Sequence, residues 1–186
     1  NGTIKGEWPR TIIKSIEINH KYLGIIGFGT IGKKVAEYSS KNGLKILAYD
    51  PYVKEINNKE IDAKLSSLNE IYEKSDIISI HLPLTDETKN MINLDILESM
   101  KKNCIVINTS RGGIINEKDL NDALNKKLIF GAGIDVFEKE PPDNNNPLLK
   151  NKKVFLSPHT STFTEECTER MGKETIQNII DFFENK

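Results

Sequence analysis

Four side chains have the types and the setting that proton exchange beside an anion requires: Arg111, Asp135, Glu140 and His159. Arg111 follows the run Cys104-Ile105-Val106-Ile107-Asn108-Thr109-Ser110 and precedes Gly112-Gly113. Only three of the 26 basic residues are arginines, so a guanidinium stands where lysine is the default. Its planar fork clamps a carboxylate or polarises a carbonyl at two points, which an ammonium does less well. Asp135 closes Gly131-Ala132-Gly133-Ile134, Glu140 comes five residues later before Pro141-Pro142, and His159 follows Val154-Phe155-Leu156 and Ser157-Pro158. A histidine held by a carboxylate is a general acid/base whose imidazolium form is stabilised, which suits proton exchange with an alcohol or ketone near neutral pH.

A second constellation lies at Leu23-Gly24-Ile25-Ile26-Gly27-Phe28-Gly29-Thr30-Ile31-Gly32. Gly27 lets the chain leave a buried strand in a tight turn, Gly29 lets backbone approach a pyrophosphate, and Gly32 lets the next helix pack close to the strand. Amide groups around Thr30 and Ile31, at the positive end of that helix, then face the phosphates. Asp50 stands 18 residues beyond Gly32, after Lys45-Ile46-Leu47-Ala48-Tyr49. A carboxylate there accepts from both ribose hydroxyls and repels a 2′-phosphate by about 4 kcal/mol at contact distance and intermediate dielectric. The expected cofactor is therefore NAD in preference to NADP. A methyltransferase would explain the glycines but not Arg111, Glu140 or His159.

These groups need a frame that gathers them. Apolar runs of strand length recur at Tyr22–Ile26, Lys45–Tyr49, Ile77–Leu82, Cys104–Asn108, Ile129–Ile134 and Val154–Leu156. Helical patterns lie between them at Ile31–Lys41, Ser67–Lys74, Leu94–Met100 and Glu117–Asn125, with Asn116 and Thr164 as caps ahead of Glu117 and Glu165. Near-continuous apolar strands alternating with helices predict an α/β fold, a doubly wound parallel sheet with right-handed crossovers. Ligands of such sheets bind beyond the carboxyl ends of the strands, where all four chemical side chains fall. The last helix, Thr164 to Phe183, has Met171, Ile176, Ile179, Ile180 and Phe183 on one stripe, which is expected to pack against the sheet.

At 186 residues one full domain fits. The net charge of −1, with lysine and acidic residues interspersed, gives no basic face for nucleic acid. No apolar run approaches the roughly 20 residues of a membrane span. Cys104, in a strand-like run, and Cys167, in a helix, are expected to be free thiols in a reducing, cytoplasmic setting, and no metal is expected. Residues 1–20 read as an arm leading into a domain over 21–186. Asn144-Asn145-Asn146 and Lys150-Asn151-Lys152-Lys153 read as surface loop.

The ordered segments "LGIIGFGTIG", "HLPLTDETKNMI", "INTSRGGIINEKDL", "GIDVFEKEPP" and "SPHTSTFTEE" resemble the nucleotide-binding domain of the D-isomer-specific 2-hydroxyacid dehydrogenases. The likeness runs over nearly the whole chain. It implies a Rossmann NAD-binding fold whose substrate domain is absent from this stretch, and hydride transfer between NAD and C2 of a small D-2-hydroxy acid, with 3-phosphoglycerate favoured. It implies Arg111 as the group on the substrate carboxylate and carbonyl, His159 as acid/base, Glu140 as its support and Asp135 at the nicotinamide. Gly27, Gly29, Thr30, Ile31 and Gly32 would hold the pyrophosphate; Leu82 and Pro83 would line the adenine side; Thr88, Thr109, Ser110 and Thr160 would flank the cofactor. His81 is expected to be structural, and His20 has no partner in the site. Thr160-Ser161-Thr162 departs from the small apolar or glycine pair usual beside the nicotinamide, and its hydroxyls would either bond the carboxamide or crowd it. The likeness further implies a homodimer through the nucleotide domain, with the arm around Trp8 either taking part or packing within its own chain. The alternative it leaves is an NAD-sensing, corepressor-like interaction protein of the same fold.

Overall fold

The structure, a computed structural model, describes residues 5–6, 16–56 and 61–184. Seven parallel strands form one sheet: β1 (Tyr22–Ile26), β2 (Lys45–Tyr49), β3 (Ala63–Leu65), β4 (Ile77–Ile80), β5 (Ile105–Asn108), β6 (Gly131–Ile134) and β7 (Val154–Leu156). Their spatial order is β3-β2-β1-β4-β5-β6-β7. From β1 the chain winds outward through β2 and β3, then returns to lay β4 on the other side of β1. Strand order reverses at β1/β4, and there a parallel sheet opens a crevice at its carboxyl edge.

Alternation along β1 and β2 supplies two cores. Leu23 and Ile25 of β1, with Ile46 and Ala48 of β2, pack beneath Ala36 of α1 (Thr30–Lys41). Ile26 and Leu47 point the other way, into a larger core with Ile78, Ile80 and Val106 beneath α2 (Leu68–Lys74), α3 (Leu94–Ser99) and α4 (Glu117–Asn125). Side-chain caps fix these later starts: Ser67 accepts from Glu70 N–H, Asn93 from Ile96 N–H and Asn116 from Asp119 N–H. On the α1 face the sheet beyond β4 is open, with a hollow of about 360 Å³ over Ile105, Ile107, Gly133 and Phe155.

The doubly wound parallel sheet is as the sequence predicts, with local differences. The strand predicted over Ile77–Leu82 ends at Ile80, although His81 N–H still bonds Ile26 C=O at 2.7 Å. The run from Ile129 pairs as a strand only from Gly131, and β5 starts after Cys104. Strand β3, Ala-Lys-Leu, is too short to show a period. A 3-10 turn at Pro147–Lys150, capped by Asn146, gives the asparagine-rich loop local order.

The final helix is the clear correction. Helix α5 (Glu165–Glu184) forms, and Thr164 caps it by accepting Cys167 N–H at 3.1 Å, but none of its residues is buried. Met171, Ile176, Ile179, Ile180 and Phe183 are 41–68% exposed instead of lying on the sheet. An amphipathic period specifies that a helix has an apolar side, not which surface meets it; here α5 departs from β7, the edge of the sheet. Trp8 lies outside the described residues.

Candidate active site

The glycine loop leaves β1 with Gly27 at φ +95°, and a Cβ there would come within 2.5 Å of the His81 carbonyl oxygen. A side chain is excluded twice over, by conformation and by space. Gly32 is buried in the first turn of α1, and a Cβ on it would overlap the Gly27 carbonyl oxygen. Gly29 differs from both: a Cβ there would meet nothing within 4 Å. Residues Gly29, Thr30 and Ile31 are exposed while Gly27, Phe28 and Gly32 are buried, and the open space over Gly29 leaves room for a pyrophosphate.

Helix α1 begins at Gly29 with no side-chain cap and no acidic residue in its first turn. By contrast α2, α3 and α4 all carry both. A helix start with unspent N–H groups and no competing carboxylate attracts an external anion. Asp50, at the end of β2, accepts Phe28 N–H and Tyr52 N–H, each at 2.9 Å. It thereby ties the glycine loop to the strand on which the ribose would sit. The loop, the open space over Gly29 and Asp50 together fit a dinucleotide.

Beyond β4, Leu82 is half-buried and Pro83 exposed, and Thr88 closes the following turn by donating to Pro83 C=O at 2.8 Å. His81 meets the Ser79 hydroxyl through Nε2 at 2.9 Å, and burial pushes its pKa down, which agrees with a structural role. His20 sits in the turn before β1, bonded through its N–H to Gly43 C=O.

Beyond β5, Thr109 is exposed and Ser110 half-buried. Arg111 is exposed, and its Nη1 donates to Ser110 C=O at 2.6 Å. Gly112 is obligatory here, because a Cβ would overlap the Phe137 carbonyl. That contact packs the Arg111 turn onto the loop that leads to Glu140.

Beyond β7, His159 adopts φ +53°, a left-handed conformation uncommon for a residue with a Cβ. Its Nδ1 lies 2.8 Å from Glu140 Oε2, and Glu140 Oε1 accepts Phe137 N–H at 3.0 Å. The His159 bond, followed by the Phe137 amide, holds the Glu140 carboxyl below its ordinary value. An ionised carboxylate only accepts, so Nδ1 carries the proton and Nε2 is the ring nitrogen left to exchange one. A cavity of about 420 Å³ opens beside the pair, walled by Pro142, Leu149, Leu156 and Pro158.

Asp135 is 3% exposed. Its carboxylate accepts the Ser157 hydroxyl, Thr160 N–H at 3.1 Å and Ser161 N–H at 3.2 Å, and its carbonyl accepts His159 N–H at 2.8 Å. Burial alone would raise its pKa, but these donors outweigh burial and hold it below the ordinary carboxyl value. The contribution of this carboxylate to stability is thus full above the unfolded-state value of about 3.9 and is lost as pH falls through the lower folded value. In an acid titration followed by NMR, the Thr160 and Ser161 amides of wild type should hold their positions to lower pH than free carboxyls titrate. Asp135→Asn should lose at least one of the two positions at every pH and show no such transition.

The structure places the predicted residues in the segments that follow the carboxyl ends of β1, β2, β4, β5, β6 and β7. Sequence reasoning missed Asn108 and Ser157. Asn108 is 2% exposed, and its side chain accepts Ser110 N–H and the Ser110 hydroxyl and donates to Arg111 C=O. A polar residue closing an apolar strand was the available signal. Both cysteines are free, and burial pushes the Cys104 thiol up to about 12. Among the described residues no cluster suits a metal ion, and no helix is long and apolar enough to cross a membrane.

Comparison with known proteins agrees with this geometry. Residues 2–161 match the family model of the D-isomer specific 2-hydroxyacid dehydrogenase NAD binding domain. The chain is 39% identical over 181 residues to a glyoxylate reductase of Korarchaeum cryptofilum, covering 97% of this chain and 54% of that protein. It is 40% identical over 176 residues to a D-3-phosphoglycerate dehydrogenase of Methanocaldococcus jannaschii, covering 94% and 33%. The NAD-dependent formate dehydrogenase of Staphylococcus aureus, solved with NAD, superposes with a TM-score of 0.86 at 33% identity, over 99% of this chain and 55% of that one. The chain thus spans between a third and just over half the length of these relatives. Glycine loop, sheet order and matched sequence agree: the chain belongs to the D-isomer specific 2-hydroxyacid dehydrogenases, as their NAD-binding domain.

Proposed function

We propose that the protein containing this chain transfers a hydride between NAD and C2 of a small D-2-hydroxy acid. The observation that carries this reading is the Glu140–His159 pair, set on the same sheet edge as the Arg111 turn and the uncapped start of α1. The cofactor supplies the hydride acceptor. His159 Nε2 takes the hydroxyl proton on oxidation and returns it on reduction, while Glu140 holds the ring in one tautomer and orientation. Arg111 swings from the Ser110 carbonyl to hold the substrate carboxylate and polarise the carbonyl oxygen. Gly29, Thr30 and Ile31 present amides to the pyrophosphate, Asp50 takes the ribose hydroxyls, and Leu82 and Pro83 line the adenine side. Thr88, Thr109, Ser110 and Thr160 flank the remainder.

The domain begins at residue 21, with the substrate-closing domain elsewhere in the protein; most of the arm expected over 1–20 lies outside the described residues. Two copies pair through this domain, in the cytoplasm. The relatives divide among glyoxylate, hydroxypyruvate and phosphoglycerate names. Of these substrates we favour 3-phosphoglycerate.

The test is NADH absorbance with the intact protein on glyoxylate, hydroxypyruvate, 3-phosphohydroxypyruvate and pyruvate. Turnover of at least one supports the reading; turnover of none, with NAD still bound, favours the interaction-protein alternative. In calorimetry NAD should bind at least tenfold more tightly than NADP, and Asp50→Ala should narrow that ratio. Equal affinities in wild type would remove Asp50 from the choice.

A further inference from the structure

The described residues bury four polar side chains, and two of them, Asn108 and Asp135, end neighbouring strands. Each spends its hydrogen-bonding capacity on the turn that follows a strand at the site. Asn108 Oδ1 takes Ser110 N–H at 3.0 Å and the Ser110 hydroxyl at 2.8 Å, and its Nδ2 donates to Arg111 C=O at 2.9 Å. The Ser110 carbonyl, thus fixed, receives Arg111 Nη1. Asp135 does the same for the other turn: Ser157 hydroxyl and Thr160 N–H on Oδ1, Ser161 N–H on Oδ2, and His159 N–H on its carbonyl. The two residues are joined directly, Asp135 N–H donating to Asn108 C=O at 3.0 Å.

We propose that Asn108 and Asp135 are positioning residues, Asn108 for the Arg111 guanidinium and Asp135 for the His159 turn, their backbone link setting the spacing between anion clamp and acid/base. This rests on the hydride-transfer reading above. Asp135, which the family resemblance sets at the nicotinamide, thus also serves the histidine turn: its carboxylate oxygens hold donors from Ser157, Thr160 and Ser161. The Thr160 and Ser161 amides, together with the Ser157 hydroxyl, anchor a left-handed His159 to a buried anion. Placement by buried, fully bonded groups matters because a shift of about 1 Å at a reacting group costs on the order of 100-fold in rate.

The test uses the intact protein with Asn108→Ala, Ser110→Ala, Asp135→Asn and Ser157→Ala. Asp135→Asn keeps the shape but turns one acceptor into a donor, so at least one amide loses its partner. It is expected to lower kcat by about 10- to 100-fold with little change in KM for the 2-keto acid. Ser157→Ala, which leaves the carboxylate in place, should show a smaller loss of the same kind. Asn108→Ala and Ser110→Ala should instead raise KM by about 10-fold, through the clamp, and lower kcat less. Amide exchange provides a readout independent of turnover. Thr160 and Ser161 should exchange faster in Asp135→Asn alone, and Ser110 faster in Asn108→Ala alone. Unaltered exchange in both variants, or equal falls in kcat and rises in KM in all four, would overturn the assignment. Absence of wild-type turnover on every keto acid would sink the hydride-transfer reading and leave the exchange arm to decide the positioning claim.

Discussion

Replacement of His159 by alanine is expected to lower kcat by about 100- to 10,000-fold, the range for losing a positioned proton-transfer group, while NAD affinity stays unchanged. The separation follows from the layout. His159 lies beyond β7, whereas the pyrophosphate loop lies beyond β1, with β4, β5 and β6 between them. Because His159 occupies φ +53°, His159→Asn is the companion variant: asparagine tolerates the left-handed region and lacks a proton-exchanging nitrogen. If both variants lose turnover alike and keep the melting temperature, the loss belongs to the imidazole and not to backbone strain. Glu140→Gln should fall between them and wild type, since the ring keeps a partner but not a carboxylate. Normal turnover in either His159 variant would remove it from the mechanism.

The second large effect concerns the glycines. Gly32→Ala places a Cβ on the Gly27 carbonyl oxygen, a backbone atom with nowhere to go. Helix α1 must then move off β1, and overpacking of this kind costs about 1–3 kcal/mol of stability. The same movement takes the Thr30 and Ile31 amides out of register with the phosphates, so NAD affinity should fall at least about 100-fold, equivalent to about 2.7 kcal/mol. Gly29→Ala separates the two consequences. Its φ of −77° accepts alanine and its Cβ meets no protein atom, so the melting temperature should stay put while NAD binding weakens. Gly29→Ala with full NAD affinity would show that the phosphates pass elsewhere.

Much of this layout was legible in the chain, for reasons that can be traced. The β1 and β2 runs are apolar on both faces and flanked by glycine or aspartate, so they announced parallel, buried strands whose ends carry ligands. Arg111, Glu140 and His159 each follow such a run, and a parallel sheet leaves them one edge to share. The ladder of buried bonds through Asn108 and Asp135 was not legible. It depends on which strands adjoin, and β5 and β6 meet only once α4 has carried the chain across. Strand β3 was missed because three residues show no period. The α5 stripe was visible, but its destination was not, since spacing describes the helix and not its neighbours.

That uncovered stripe governs how the isolated polypeptide behaves in a test tube. Met171, Ile176, Ile179, Ile180 and Phe183 form a row of greasy knobs on a rod about 30 Å long. Water does not tolerate such a row for long: as concentration rises the molecules are expected to stick to one another, to dyes and to plastic, while the dinucleotide cradle, past β1 in the interior of the sheet, stays intact.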